Sequence, residues 1–170
     1  MKIKPKHIIL WFVVLLLQIL VFNQLNVSGY INPYVYPLLI ILLPFEMAGW
    51  LLLTLAACLG LFIDVFTGTL GMHLFALVFM AGCRPSITKI LSLSKQDPGD
   101  FINIKQHGLI VSTTFIGVLL FIHHIMYFLL ETFASSGLSY GILRTFASLF
   151  FSIFISIILL LVVNPGRNER

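Results

Sequence analysis

From Gly108 to Leu130 the chain runs 23 residues without one Asp, Glu, Lys or Arg. A helix of that length rises about 34 Å, enough to cross the roughly 30 Å hydrocarbon core of a bilayer. Gly141 to Val163 reads the same way, with Arg144 near its start as the single charge. Water cannot be the solvent around such segments: 9% of the residues are charged, against about 25% in soluble domains. Hydrophobic residues make up 59%, so a water-soluble globule is excluded and function lies in or against a bilayer. At about 20 residues per crossing, 170 residues allow six spans at most and no separate soluble domain.

The spans are expected near residues 8–22, 32–45, 47–63, 70–83, 108–130 and 141–163, with a polar loop over 84–107. The first follows Lys2, Lys4 and Lys6 as a signal peptide would, but no small-x-small cleavage site follows it, so it reads as a signal anchor. The second is half the usual length, flanked by Pro33 and Pro44 and interrupted by Pro37. Charge parity makes it cross. The three N-terminal lysines and the loop cations Arg84, Lys89, Lys95 and Lys105 can share the cytoplasmic side only if an even number of crossings separates them. Neighbouring helices must then satisfy the backbone groups that its prolines free. Both termini fall in the cytoplasm, leaving Arg144 as the one outward cation of ten. Trp11 and Trp50 fall near the inner interface, while Tyr30, Tyr34, Tyr36, Tyr127 and Tyr140 fall near the outer one. Within the loop, Ser86 to Lys95 is either a short basic surface helix or a solvated stretch, followed by the turn Asp97-Pro98-Gly99.

Ionisable groups inside membrane spans are rare and mark function, and the depth of each decides what it can do. Asp64, Glu131 and Arg144 fall at the outer ends of three helices, where a charged cluster can form with Arg144 paired to Asp64 or Glu131. That cluster is either a structural tie or a site for a ligand or partner. His123 and His124 diverge by about 100° on a helix and cannot chelate one metal from one face. His123, Tyr127 and Glu131 share a face and suggest a hydrogen-bonded ladder. His73 reads as a lone packing residue. Cys58 and Cys83 sit in apolar runs without the spacing of a metal or redox motif. Catalytic arrangements of Ser/His/Asp or Cys/His type, phosphate loops and HExxH do not occur, so neither an enzyme nor a cofactor or metal is expected. Without a basic stripe carrying interleaved aromatics, nucleic acid is set aside.

Small residues supply the geometric signals. Ala56, Gly60 and Asp64 recur every four residues on one face of the third helix, followed by Gly68 and Gly71 in the turn. Arg144, Ser148, Ser152 and Ser156 line one face of the sixth, with Thr145 beside them. Such faces either hold the bundle together or receive a partner's helix.

The stretch Gly60-Leu61-Phe62-Ile63-Asp64, then Gly68, then Gly71-Met72-His73-Leu74-Phe75-Ala76-Leu77 resembles the best-marked part of the rod shape-determining protein MreD family. The layout is similar too: a basic N-terminus, a first helix with an internal Gln18, a Pro-flanked second helix and a basic loop after the fourth, here shorter and poorer in Arg. The resemblance implies an all-α, polytopic protein of the bacterial plasma (inner) membrane, folded like the substrate-binding subunit of energy-coupling factor vitamin transporters. It implies a non-catalytic scaffold of cell-wall elongation that binds the single-pass protein MreC and, through it, MreB filaments, RodA and a transpeptidase, thereby supporting peptidoglycan synthesis and cell shape. The dock would use Ala56, Gly60, Asp64, Gly68 and Gly71, beside a groove left by the broken second helix. The alternative is a small-molecule, vitamin-like binding subunit of a transporter, which requires polar groups converging on a cavity.

Overall fold

The computed structural model describes residues 5–24, 31–93, 107–135 and 138–163. Among these every regular element is helical: α1 (Pro5–Leu20), a 3-10 turn (Phe22–Gln24), α2 (Pro37–Ile41), α3 (Gly49–Thr67), α4 (Met72–Ile90), α5 (Leu109–Ser135) and α6 (Leu138–Val163). Three helical stretches are long and apolar enough to cross a membrane, Gly49–Thr67, Leu109–Phe133 and Ile142–Val162, and Trp11–Gln24 is a shorter apolar helix. Their outward faces carry bare apolar side chains such as Val65, Phe146 and Phe150, which suits a lipid surround. Cys58 lies exposed on α3 as a free thiol, and Cys83 is free and half-buried.

α3 and α4 form a tight antiparallel pair. Gly68 (φ 67°) ends α3 in the left-handed conformation, and its N–H donates to the Asp64 carbonyl. Gly71 (φ 82°) then starts α4. The two helices meet at Gly60, where a Cβ would stand 2.4 Å from Leu74 Cα and 2.8 Å from Leu74 N. Ala56, Gly60 and Asp64 are buried. This corrects the proposed dock: α4 of the same chain occupies the small-residue strip, because its backbone approaches more closely than any side chain would allow.

The proline-flanked segment also differs from expectation. Only Pro37–Ile41 is helical, and residues 32–35 are irregular, because Pro33 and Pro37 lack the N–H groups a continuous helix needs. Tyr34 through Leu43 are buried, so the segment fills the interior of the bundle. Its start is bonded to α6 near Arg144, and its end is bonded to Arg84 of α4. The rise along α4 from His73 to Arg84 alone is about 16 Å.

Two boundaries move. α4 continues to Ile90 with Pro85 inside it, so Arg84 belongs to a helix and not to a loop. α3 and α5 likewise extend a turn beyond the expected ends at 63 and 130. Tyr30 and the turn Asp97-Pro98-Gly99 lie outside the described residues, as do Lys95, Lys105 and the C-terminal arginines.

Candidate functional site

A backbone that is neither helix nor sheet must find hydrogen bonds elsewhere when buried among apolar side chains. Here side chains supply them. Gln18 of α1, fully buried, uses Oε1 to accept from the N–H of Val35 at 2.8 Å and of Tyr36 at 3.2 Å. Its Nε2 donates to the Pro33 carbonyl at 3.2 Å and to Asn23 Oδ1 at 2.8 Å. On the other side the Asn32 N–H donates to Ser148 Oγ at 2.9 Å, and that of Tyr34 to Ser152 Oγ at 2.8 Å. The serine face of α6 therefore grips an irregular strand of its own chain. Ser156, one step further along, is buried without a hydrogen-bond partner for its Oγ.

Arg84 closes the far end. Its guanidinium is buried and donates to the carbonyls of Ile41 (3.3 Å), Leu43 and Pro44 (3.4 Å), with Phe45 5.6 Å from the charge. The Ile41 carbonyl ends α2 and those of Leu43 and Pro44 follow it, at the negative dipole end that favours a cation. In the sequence Arg84 is one of the cytoplasmic topology charges, and its burial is not legible there, since nothing local distinguishes a capping arginine from a loop arginine.

Asp64 caps α4. Its carboxylate accepts from the N–H of His73 (3.1 Å) and Leu74 (2.9 Å) and from Thr69 Oγ1 (2.6 Å), in the place of an N-cap side chain. It takes no part in the expected charge cluster: Arg144 pairs with Glu131 at 2.9 Å. Reoriented to satisfy its neighbours, the Asn32 amide also accepts from Arg144. Of the proposed dock residues, Gly68 and Gly71 remain at the surface, and Leu70 between them is 97% exposed.

Between the two ends lies a buried aromatic and imidazole cluster. Tyr36 Oη lies 2.8 Å from His73 Nδ1 and 2.7 Å from His123 Nε2. His124 Nδ1 donates to the Leu120 carbonyl at 2.8 Å, and its Nε2 accepts from Ser152 Oγ at 3.1 Å. The Tyr34 ring stands edge-on to His73 and Tyr127 at 5.1 and 4.8 Å, and His73 stacks on Tyr127 at 4.4 Å. Tyr34, Tyr36 and Tyr127 are thus buried inside the bundle. The expected ladder is replaced: His123 turns to Tyr36, and Glu131 turns to Arg144. His73, read as a lone packing residue, is a member of the cluster.

One hydroxyl proton serves two imidazoles, which couples their states. If Tyr36 donates to His73 Nδ1, it accepts from His123 Nε2, and both rings carry their proton on Nε2. Reversing the bond moves both protons to Nδ1. The outer edges of the two rings, His73 Nε2 and His123 Nδ1, have no partner in either case.

Next to His73 is a cavity of about 260 Å³ with Asn23, Asn32, Tyr34, Thr69 and Tyr127 in its wall. Among the described residues no group of three His, Cys, Asp or Glu is placed to hold a metal ion. Comparison with protein-family models, with curated proteins and with solved structures finds no match.

Proposed function

We propose that the chain is a non-catalytic membrane scaffold of the cell-wall elongation machinery in the bacterial plasma membrane, spanning it six times with both termini cytoplasmic. Its partner is an MreC-like single-pass protein, which connects it to MreB filaments, RodA and a transpeptidase. The resemblance over Gly60 to Leu77 supplies the family. The observation that carries the scaffold role is the turn at that stretch: Asp64 clamps it from below and two left-handed glycines fix its path, so that Leu70 stands 97% exposed. A rigid turn that presents one bare apolar side chain suits the juxtamembrane segment of a partner, in the manner of an interface anchor. The engaged polar side chains agree with this reading: Gln18, Ser148, Ser152, Arg84 and Asp64 all bind backbone of the same chain, as architecture rather than chemistry requires.

The test is co-purification from native membranes. The tagged chain should retain an MreC-like protein, and Leu70→Asp should reduce that yield at least tenfold while leaving insertion and detergent elution volume unchanged. Equal recovery with Leu70→Asp would remove the dock.

A further inference from the structure

We infer that the groove between the outer ends of α5 and α6 seats one phospholipid with an ethanolamine headgroup, its acyl chain along the groove and its headgroup on the Arg144–Glu131 pair. The inference is independent of the partner dock, since Leu70 lies in the α3–α4 turn and not in this wall.

Shape comes first. Ile125, Leu129 and Thr132 of α5 face Ile142 and Phe146 of α6 across a groove of about 260 Å³. From Ile125 to Thr132 α5 rises about 10 Å, from within the apolar span to the turn that holds Glu131. One turn of a helix 10 Å across fills about 420 Å³, so the groove takes a single extended chain and not a helix. Its exposed wall agrees: Leu129, Ile142 and Phe146 are large, whereas helices that associate in a bilayer meet over Gly, Ala, Ser or Thr. The same three residues face the lipid surround, so a hydrocarbon chain reaches the groove without crossing the bundle.

Charge fixes the headgroup. Arg144 and Glu131 pair at 2.9 Å with both side chains part-exposed, in the helical turns that carry Ile142 and Thr132 at the outer end of the groove. The Arg144 guanidinium lies 5.3 Å from the centre of the Phe128 ring, and Phe128 lines the groove, so the ion pair and the hydrocarbon wall share one side chain. A guanidinium has several N–H donors and a carboxylate several acceptor sites, so the pair can serve a headgroup without parting. The pair carries no net charge, which decides among headgroups. An anionic headgroup gains Arg144 but meets Glu131 with the same sign. An ethanolamine headgroup satisfies both, since its phosphate accepts from Arg144 and its ammonium donates to Glu131. Choline has the same charges without an N–H, and so loses the bond to Glu131. At the outer helix ends these groups stand where charge costs far less than at the bilayer centre.

The full-length chain is reconstituted in nanodiscs of equimolar phosphatidylethanolamine, phosphatidylcholine and phosphatidylglycerol with matched acyl chains, then released and weighed by native mass spectrometry. One phospholipid should stay bound, with ethanolamine enriched at least about fivefold over choline and glycerol. Glu131→Gln should remove the preference for ethanolamine over choline while a lipid is still retained. Ile142→Trp, which fills the groove from an exposed position, should cut retention at least about fivefold, and Phe150→Trp, exposed on the same helix but outside the groove wall, should leave it unchanged. Should Glu131→Gln fail to fold, the two tryptophan variants still carry the test. Leu70→Asp should leave lipid retention unchanged, which separates this site from the dock. Equal retention of the three lipids by the parent chain, or retention that Ile142→Trp does not lower, would overturn the inference. Release as a dimer that Ile142→Trp breaks would do the same, by giving the groove to a second copy of the chain.

Discussion

Replacing Gln18 with leucine keeps the side chain's approximate volume and removes four hydrogen bonds at once. The backbone N–H groups of Val35 and Tyr36, on residues 1% and 0% exposed, lose their acceptor, and the Pro33 carbonyl loses a donor. Each orphaned buried group costs about 1 to 3 kcal/mol, so the two donors alone set a loss of roughly 2 to 6 kcal/mol. A lower figure follows from hydrogen bonds in membrane bundles, which average about 0.6 kcal/mol; four of them come to roughly 2.4 kcal/mol. The two estimates meet near 2 to 3 kcal/mol. Equilibrium unfolding in mixed micelles of dodecyl sulfate and a mild detergent reads this difference directly. Ser156→Ala is the control: Ser156 is as buried as Gln18, but its hydroxyl has no partner, so that change should stay within about 0.5 kcal/mol of the parent or stabilise it. Gln18→Leu costing no more than Ser156→Ala would show that the irregular segment does not depend on side-chain hydrogen bonds.

Gly60→Ala should destabilise the bundle by about 1 to 3 kcal/mol in the same assay, because the new methyl meets the backbone of Leu74 at 2.4 Å and neither helix can move without the other. Gly117→Ala, whose nearest neighbour is Ile153 Cδ1 at 3.7 Å, should be neutral or stabilising by up to about 1 kcal/mol, since alanine is the better helix former. Arg144→Ala breaks a pair whose side chains are 14% and 19% exposed, between the surface case of about 0 to 1 kcal/mol and the buried case of about 3 to 5. A loss of about 1 to 3 kcal/mol is expected, and a double-mutant cycle with Glu131→Gln should return a coupling of at least about 0.5 kcal/mol.

The long apolar runs gave away the helices because periodicity and length are local properties: α3, α5 and α6, with one charged residue each, fall where the longest apolar runs lie. Gly68 and Gly71 also stood out, since turn glycines are a local motif, whereas Asp64 stood out as a charge and its role as the cap of α4 was not legible. What the small-residue strip faced was not legible. The spacing of Ala56, Gly60 and Asp64 announces a close approach, but α4 of the same chain and a foreign helix leave the same mark on the sequence. The serine face of α6 was likewise visible as a packing surface, yet its partner proved to be the backbone of residues 32 and 34, more than 110 positions away. What Tyr34, Tyr36 and Tyr127 pack against was not legible either, since tyrosine suits both a membrane interface and a buried cluster with imidazoles. Gln18 and Arg84 each looked like a single polar residue near an apolar run. Their role depends on a proline-broken segment that has carbonyls and N–H groups to spare, a need that arises in the assembled bundle and not in either neighbourhood alone.

Hydrogen exchange of the peptide spanning residues 31–43, followed by mass spectrometry on the detergent-solubilised chain, addresses the irregular segment itself. Held by Gln18, Ser148 and Ser152, its amides should exchange as slowly as those in the middle of α5, and Gln18→Leu should accelerate Val35 and Tyr36 at least tenfold. Exchange at the rate of an unstructured peptide in the parent chain, or no acceleration in the variant, would contradict a fold built around side chains that bind an interior strand.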